Sequence, residues 1–275
     1  MILPEDFKFS QNNLQDYVEC AKRFELRHIQ RMKWPAVEAE PIAERELHMQ
    51  RGADFHRMIQ QHMLGVPVDV LSAAINDDNL RRWWDTYLQD DFVATLSQKR
   101  VAEVALSVPV SGHRLMAKYD LVAIEAGQGI TIVDWKTSRR KPSRTVLAKR
   151  LQTIVYRYVM VGAGAHLNGG QPISPQQVEM VYWYAEKPDE PERFLYDDTQ
   201  HKEYGEYLAS LTEEIKGRSK FELTTETKRC RFCVYRSFCE RGIAAGNEDD
   251  LEIDIEDDTG LDIDFDFDQI AEIEF

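Results

Sequence analysis

The architecture of this 275-residue chain rests on residues 113–136, which read HRLMAKYDLVAIEAGQGITIVDWK. Two runs of β-forming residues flank the Gly-Gln-Gly triplet at 127–129, and glycines between such runs are typical of a turn between antiparallel strands. Successive side chains of a strand point to opposite faces. Asp134 and Lys136 are therefore predicted to share one face of a strand, while Trp135 packs on the other.

Outside this hairpin, the periodicity of the sequence predicts a mixed α/β fold. Apolar residues recur at helical spacing in five segments, which are 10–34, 43–64, 75–98, 145–161 and 200–217. Two more strands are predicted over 101–110 and 177–185. This order of elements indicates N-terminal helices, an antiparallel front to the sheet and one crossover helix.

The composition, with 43% hydrophobic and 30% charged residues, fits a globular protein. No apolar run reaches the roughly 18 residues that a membrane helix needs, and the first residues do not resemble a signal peptide. The predicted location is therefore cytoplasmic, without a membrane partner. The net charge of −14 comes from residues 246–275, which are rich in Asp and Glu and lack Lys and Arg. An acidic total thus does not exclude a nucleic-acid partner.

Asp120, Asp134 and Lys136 form the candidate catalytic constellation. If the two strands pair as a hairpin, Asp120 becomes a neighbour of Asp134, and a cation would relieve the repulsion between their carboxylates. Carboxylate oxygens favour Mg²⁺ or Mn²⁺, which polarise a phosphate and activate water. Lys136 could orient that water or stabilise negative charge. An ordinary ion pair at a strand end is the simpler interpretation, but the apolar runs around these polar residues favour a metal site.

Two further features surround this constellation. Gln152 and Tyr156 lie four residues apart in a predicted helix, so they share one helix face. A run of basic residues follows the Asp-x-Lys pattern, where the backbone of a nucleic acid would lie; a solvated loop is the alternative. These basic residues are Arg139, Arg140, Lys141, Arg144, Lys149 and Arg150.

Taken in order, Asp120, Asp134-x-Lys136 and Gln152-x-x-x-Tyr156 resemble the motifs of the PD-(D/E)XK nuclease superfamily, in its RecB-like branch. The resemblance implies a restriction-endonuclease-like mixed sheet core and metal-dependent hydrolysis of phosphodiester bonds in DNA. It also implies exonuclease action at single-stranded ends, in DNA processing, repair or CRISPR adaptation. In that branch the glutamine and tyrosine are associated with the active site.

The same resemblance extends to the metal ligands. RecB-like nucleases carry a histidine ligand on an upstream helix, and His56 stands in a similar stretch, RGADFHRMI. Carried over, His56, Asp120 and Asp134 hold Mg²⁺ or Mn²⁺, and Glu103 is a further candidate acid on the first strand. The chain departs from the pattern in the family's name, because Tyr119 stands in place of Pro and Asp134 in place of the commoner Glu. An aspartate still offers oxygen ligands.

Four cysteines form a second candidate site, which comprises Cys20, Cys230, Cys233 and Cys239. In a cytoplasmic chain, a Cys-x-x-Cys pair with further cysteines suggests a metal site before disulfides. Zinc and an iron–sulfur cluster both accept four thiolates, and spacing alone does not separate them. Either group would tie the first helix to the C-terminal segment.

The resemblance favours iron and sulfur over zinc. The iron–sulfur nucleases of the RecB-like branch include the CRISPR-adaptation exonucleases and the AddB nuclease domain. They carry one N-terminal cysteine and three C-terminal ones at a similar C-x2-C-x5-C spacing. The resemblance therefore implies a structural [4Fe–4S] cluster on the four cysteines, within a nuclease domain over 1–245.

Residues 246–275 are predicted to be a disordered acidic tail. Its alternation of Leu, Ile and Phe with Asp over 261–268 would allow it to pair with a sheet edge or a protein partner. It could also occupy the protein's own basic groove, and a solubilising tail is the simpler interpretation. The alternative function for the whole chain is a catalytically silent, nuclease-like module that binds DNA or a protein partner through this tail.

Overall fold

A computed structural model describes residues 3–32, 42–125, 127–230 and 233–241, so the acidic segment over 246–275 lies outside the described residues. Within the described ranges, six strands form one mixed sheet with helices on both faces. The strands are β1 (Lys8–Ser10), β2 (Arg100–Val110), β3 (His113–Glu125), β4 (Gly129–Lys136), β5 (Val178–Tyr184) and β6 (Glu192–Leu195).

The helices are α1 (Gln11–Glu19), α2 (Ala21–Phe24), α3 (Ile42–Met63), α4 (Val68–Ala73), α5 (Asp78–Gln89), α6 (Asp91–Thr95), α7 (Arg144–Lys149), α8 (Leu151–Ala163), α9 (Asp198–Gly217) and α10 (Thr227–Cys230). A π-helical turn, Glu25–Ile29, follows α2. Across the part of the chain with described coordinates, no helix has both the length and the apolar character of a membrane span.

The restriction-endonuclease-like α/β class and the four long strands predicted from the sequence are confirmed. Three of the predicted helices are wrong as continuous elements. The helix over 10–34 breaks at Cys20, which is extended at φ −160°. The helix over 75–98 breaks at Asp90, because its side chain accepts a hydrogen bond from the Val93 amide and starts a new helix. The helix over 145–161 breaks at Arg150, which is extended.

The sheet forks on one edge of β3. Strand β2 pairs along nearly all of β3 on one edge, while β1 and β4 share the other edge. The pairing of β4 with β3 ends at Leu121 and Val133, but β4 continues beside the parallel strand β5 as far as Lys136. The last three residues of β4 therefore diverge from β3, and polar side chains can enter the opening.

Each face of the sheet has its own apolar core. Helix α8 covers one face with α1 and α9, and helices α3 and α5 cover the other. Trp135 lies in the second core, where its ring centroid is 5.5 Å from that of Trp183 and 5.6 Å from that of Tyr87. Its neighbours in sequence therefore face α8, and the predicted separation of Trp135 from Asp134 and Lys136 is confirmed.

The C-terminal segment packs against the first helices. The Lys22 amide donates to the Glu222 carbonyl at 3.1 Å, and the Tyr235 hydroxyl donates to the Met32 carbonyl at 2.9 Å. Arg229 also forms an ion pair with Glu19 at 3.2 Å. These contacts bring together two parts of the chain that are about 200 residues apart in sequence.

Candidate active site

The fork brings Asp120 and Asp134 to facing positions on neighbouring strands. The last registered pair of β3 and β4 is Leu121 with Val133, so the two aspartates are the next residues on either side of the opening. Oδ2 of Asp120 accepts a hydrogen bond of 3.0 Å from the Trp135 amide, which replaces the ladder bond lost where the strands diverge.

Asp134 and Lys136 form a buried ion pair on one face of β4. Nζ of Lys136 lies 3.1 Å from Oδ2 of Asp134, and Nε2 of Gln152 donates to Oδ1 at 2.7 Å. Only 4% of Asp134 and 5% of Lys136 side chain is exposed. Buried side chains remain ionised only when they are paired with an opposite charge and hydrogen-bonded. Strand β4 and helix α8 together supply these partners.

Asp120 lies nearer the surface, beside the histidine of α3. Nδ1 of His56 is 3.5 Å from Oδ2 of Asp120, and the two side chains are 29% and 19% exposed. Burial alone would raise the pKa of Asp120, but His56, the Trp135 amide and the charge of Lys136 outweigh it and hold the pKa below its ordinary value. Asp120 is therefore ionised at neutral pH and available as an oxygen ligand.

Glu103 joins this pair from the neighbouring strand. Ligand atoms of His56, Glu103 and Asp120 all lie within 4.8 Å of one another. Two carboxylates and an imidazole at that spacing suit a divalent cation. From the sequence, Glu103 is only a further candidate acid, because a single acid on an alternating strand carries no distinctive signal.

The backbone explains how Glu103 and Asp120 reach this position. The pairing of β2 with β3 is interrupted between two registered pairs, which are Ala102 with Leu121 and Val104 with Tyr119. Glu103 has a positive φ of 55° at this point. Across the interruption the alternation of β3 shifts, so that Tyr119 and Val122 both face α8. Strict alternation would place these two residues on opposite faces.

Two buried tyrosines form the floor beside the acids. The Tyr119 hydroxyl donates to the Tyr156 carbonyl at 2.9 Å, and their ring centroids are 5.0 Å apart. Burial and the negative charges of Asp134 and Asp120 raise the pKa of Tyr156 well above its ordinary value, although hydrogen bonding to Gln152 opposes this. Tyr156 is therefore a neutral phenol in contact with the charged part of the site.

The basic residues after Lys136 do not form one exposed surface. Lys141 and Arg144 form ion pairs with Glu192 at 3.0 Å and 2.9 Å, and Arg150 is only 9% exposed. Arg139, Arg140 and Lys149 are exposed, and Arg144 is also exposed although it pairs with Glu192. The sequence could not show this division, because Glu192 lies on β6, which sequence periodicity did not predict.

Three of the four cysteines lie near one another where the C-terminal segment packs against the first helices, since Cys239 is close to Cys20 and Cys230. Cys20 lies at the break between α1 and α2, and Cys230 ends α10. Burial and the nearby sulfur atoms of Cys20 and Cys230 raise the pKa of the Cys239 thiol. Cys233 follows Cys230 through a turn, in which its amide donates to the Cys230 carbonyl at 3.2 Å. The arrangement gathers thiols from both ends of the described chain.

Comparisons with known proteins show the family of the chain. The model of the PD-(D/E)XK nuclease superfamily matches residues 8–240. A solved structure from Eubacterium rectale, named "putative exonuclease", aligns with a TM-score of 0.52 at 10% identity, covering 93% of this chain and 94% of that one. The structure named SSO0001 aligns with a TM-score of 0.41 at 14% identity, covering 88% and 90%. A comparison with curated protein sequences finds no match.

Proposed function

Because the chain belongs to the PD-(D/E)XK nuclease superfamily, we propose that it is a Mg²⁺- or Mn²⁺-dependent deoxyribonuclease that acts as an exonuclease on single-stranded DNA ends. The observation that carries the proposal is the buried pair of Asp134 and Lys136 beside Asp120 at the fork of the sheet. Burial of charged side chains lowers the stability of a fold, and three apolar side chains of similar volume would pack there more stably. The hydrolysis of a phosphodiester bond gives these charges a function that explains their presence.

The metal ligands in this proposal are His56, Asp120 and Asp134. His56 and Asp120 lie in one cluster of donor atoms with Glu103, and imidazole and carboxylate groups suit a divalent cation. Asp134 is outside that cluster and faces Asp120 where the strands separate. When bound, the cation polarises the scissile phosphate and lowers the pKa of water. The protein's part is to keep the carboxylates ionised, and the charge partners of Asp120 support that role.

Lys136, Gln152 and Tyr156 have positioning and electrostatic roles in the proposal. The ammonium of Lys136 orients the attacking water and stabilises charge that develops on the phosphate. Gln152 fixes the orientation of Asp134 through its hydrogen bond of 2.7 Å. The neutral phenol of Tyr156 excludes bulk water behind the acids without adding a charge.

The nucleic-acid strand is proposed to follow the basic residues after β4. Arg139, Arg140 and Lys149 supply exposed charge for phosphate contacts. Lys141 and Arg144 would join them only after leaving Glu192, and the burial of Arg150 gives it a structural part. The acidic tail over 246–275 is proposed to dock on this surface or on a protein partner.

We also propose that the four cysteines hold a structural [4Fe–4S] cluster, with zinc as the alternative occupant. The position of Cys239 near Cys20 and Cys230 supports this, because neighbouring thiolates repel one another until a cationic group is bound. The cluster would join α1 to the C-terminal segment, and nothing in the hydrolysis requires electron transfer.

The test is degradation of labelled DNA by the full chain, purified without air. We expect release of nucleotides from single-stranded ends with Mn²⁺, and no release with EDTA or with the Asp134→Ala variant. Activity retained in that variant would contradict the proposal. DNA binding without cleavage by the native protein would instead support the silent binding module. Iron and sulfide analysis of the same sample separates a [4Fe–4S] cluster from zinc.

A further inference from the structure

Each of the three acids near the fork has its own cationic partner. Lys136 contacts Asp134 at 3.1 Å, His56 contacts Asp120 at 3.5 Å, and Lys118 forms an ion pair with Glu103. The first two acids already have a place in the proposed function. The third pair is on the opposite side of Asp120 from β4, and the proposed function assigns it no role.

We infer that Glu103 is a further protein ligand of the catalytic cation, and that Lys118 neutralises it in the metal-free protein. This inference rests on the proposed function and names an additional ligand for the same site. A ligand atom of Glu103 lies within 4.8 Å of those of both His56 and Asp120. That distance is within the span of two ligands on opposite sides of one cation, since metal–oxygen distances are about 2.0–2.6 Å.

The interruption of the β2–β3 pairing places the carboxylate of Glu103 near that of Asp120. Glu103 and Asp120 occupy facing positions between two registered pairs, so both side chains emerge where the alternation of the strands shifts. The positive φ of Glu103 belongs to this interruption. Two facing carboxylates repel one another unless a cation lies between them, so a purely structural role does not explain why Glu103 faces Asp120.

Substitution of Lys118 can show whether Glu103 is a metal ligand or only part of a structural ion pair. Its ammonium and a divalent cation compete for the same carboxylate, because each is attracted to the charge of Glu103. The Glu103 side chain is 19% exposed and that of Lys118 is 28% exposed, so the ion pair can open towards solvent. Substitutions at the two positions should therefore change metal affinity in opposite directions.

The experiment is a titration of the full chain with Mn²⁺ alone, in which electron paramagnetic resonance reports the free ion. We expect Glu103→Gln to weaken Mn²⁺ binding by about tenfold or more, because it removes a charged ligand. Lys118→Met should strengthen binding by about threefold. Glu125→Gln, at the exposed end of the same strand, is the matched control and should bind as the native protein does.

The outcomes separate this inference from the proposed function. Native affinity in Glu103→Gln, in a protein that binds Mn²⁺ and degrades DNA, would overturn the inference and leave the nuclease proposal intact. Equal weakening by Glu103→Gln and Lys118→Met would overturn it in favour of a structural pair. Absence of both Mn²⁺ binding and DNA degradation in the native protein would overturn both. Thermal unfolding of each variant checks that the fold is retained.

Discussion

Nζ of Lys136 lies 3.1 Å from Oδ2 of Asp134, and the two side chains are almost completely buried. The residues are two positions apart on β4, so strand alternation alone places them on one face. Their burial has a different origin, because α8 and β5 close over them. Each charge therefore depends on the other, and the pair couples the chemistry of the site to the stability of the fold.

Replacement of Lys136 by Met should abolish cleavage and weaken the fold. The loss of the ammonium removes charge stabilisation at the phosphate, so we expect DNA degradation to fall by at least about 100-fold. It also leaves the carboxylate of Asp134 buried without its ionic partner, which should lower the free energy of unfolding by about 3 kcal/mol.

The matched control for this variant is Lys202→Met, since the side chain of Lys202 is 80% exposed on α9. Degradation rates on single-stranded DNA and urea unfolding would be measured for both variants. Full activity in Lys136→Met would contradict the assigned role of the lysine. An unfolding free energy equal to that of the native protein would contradict the importance of the ion pair for stability.

Helix α8 packs closely against β2 at Gly162. Addition of a single methyl group at this position should therefore destabilise the protein. A Cβ added at Gly162 would lie 2.7 Å from Cγ1 of Val108. Overpacking of that kind outweighs the gain in helix propensity, so Gly162→Ala should destabilise the protein by about 1–2 kcal/mol. Because α8 carries Gln152, Gly162→Ala should also lower DNA degradation, but by less than Lys136→Met does.

Gly217→Ala is the control for this substitution. No atom lies within 4 Å of a Cβ added there, so the variant should be as stable as the native protein or more stable. Urea unfolding of both variants measures the difference. The double variant Gly162→Ala with Val108→Ala should recover part of the loss, and its failure to do so would mean that this contact is not the cause.

The acid stability of the protein should depend on Asp16. This buried carboxylate contacts Arg23 at 2.7 Å, Arg27 at 2.8 Å and His28 at 2.7 Å. Burial opposes its ionisation, but the charges of Arg23 and Arg27 and the hydrogen bond with His28 outweigh burial and hold the pKa of Asp16 well below its ordinary value. The stabilisation is therefore complete above about pH 4 and is lost as the pH falls further and the carboxylate becomes protonated.

Asp16→Asn should destabilise the protein at pH 7 by about 3 kcal/mol, since it removes a carboxylate that pairs with Arg27 and one of the two that pair with the buried Arg23. The free energy of unfolding of this variant should also fall less steeply than that of the native protein between about pH 4 and pH 2. Unfolding free energies over this range would be compared with those of Asp69→Asn, an exposed aspartate on α4. Parallel curves for the native protein and Asp16→Asn would show that another group controls the acid limb.

Loss of one cysteine should release the C-terminal segment. Cys239→Ser removes a thiol that lies near Cys20 and Cys230, so we expect loss of bound iron and faster proteolysis after residue 217. Val234→Ser, at an exposed position in the same segment, should retain the metal. Metal content and limited proteolysis measure both effects. Equal iron content in the two variants would argue against the assignment of Cys239 as a ligand.

Much of the fold was predictable from local pattern. The long strands β2 to β5 and the helices α3 and α9 follow from the period of their apolar residues. Strands β1 and β6 have three and four residues, too few for a period to be recognised. The break of the predicted helix at Arg150 had no local signal, because the amide of Leu151 bonds to Gln15 on a distant helix.

The sequence by itself determined that Asp134 and Lys136 share a face and that Trp135 opposes them, since alternation is a property of any strand. Only the tertiary structure decided which groups meet them. Gln152 from α8 contacts Asp134, whereas His56 from α3 and Glu103 from β2 gather around Asp120, because the sheet forks and helices cover both its faces. Local sequence encodes the direction of a side chain along its own element, but contacts between elements depend on register and packing, which arise only when the whole chain folds.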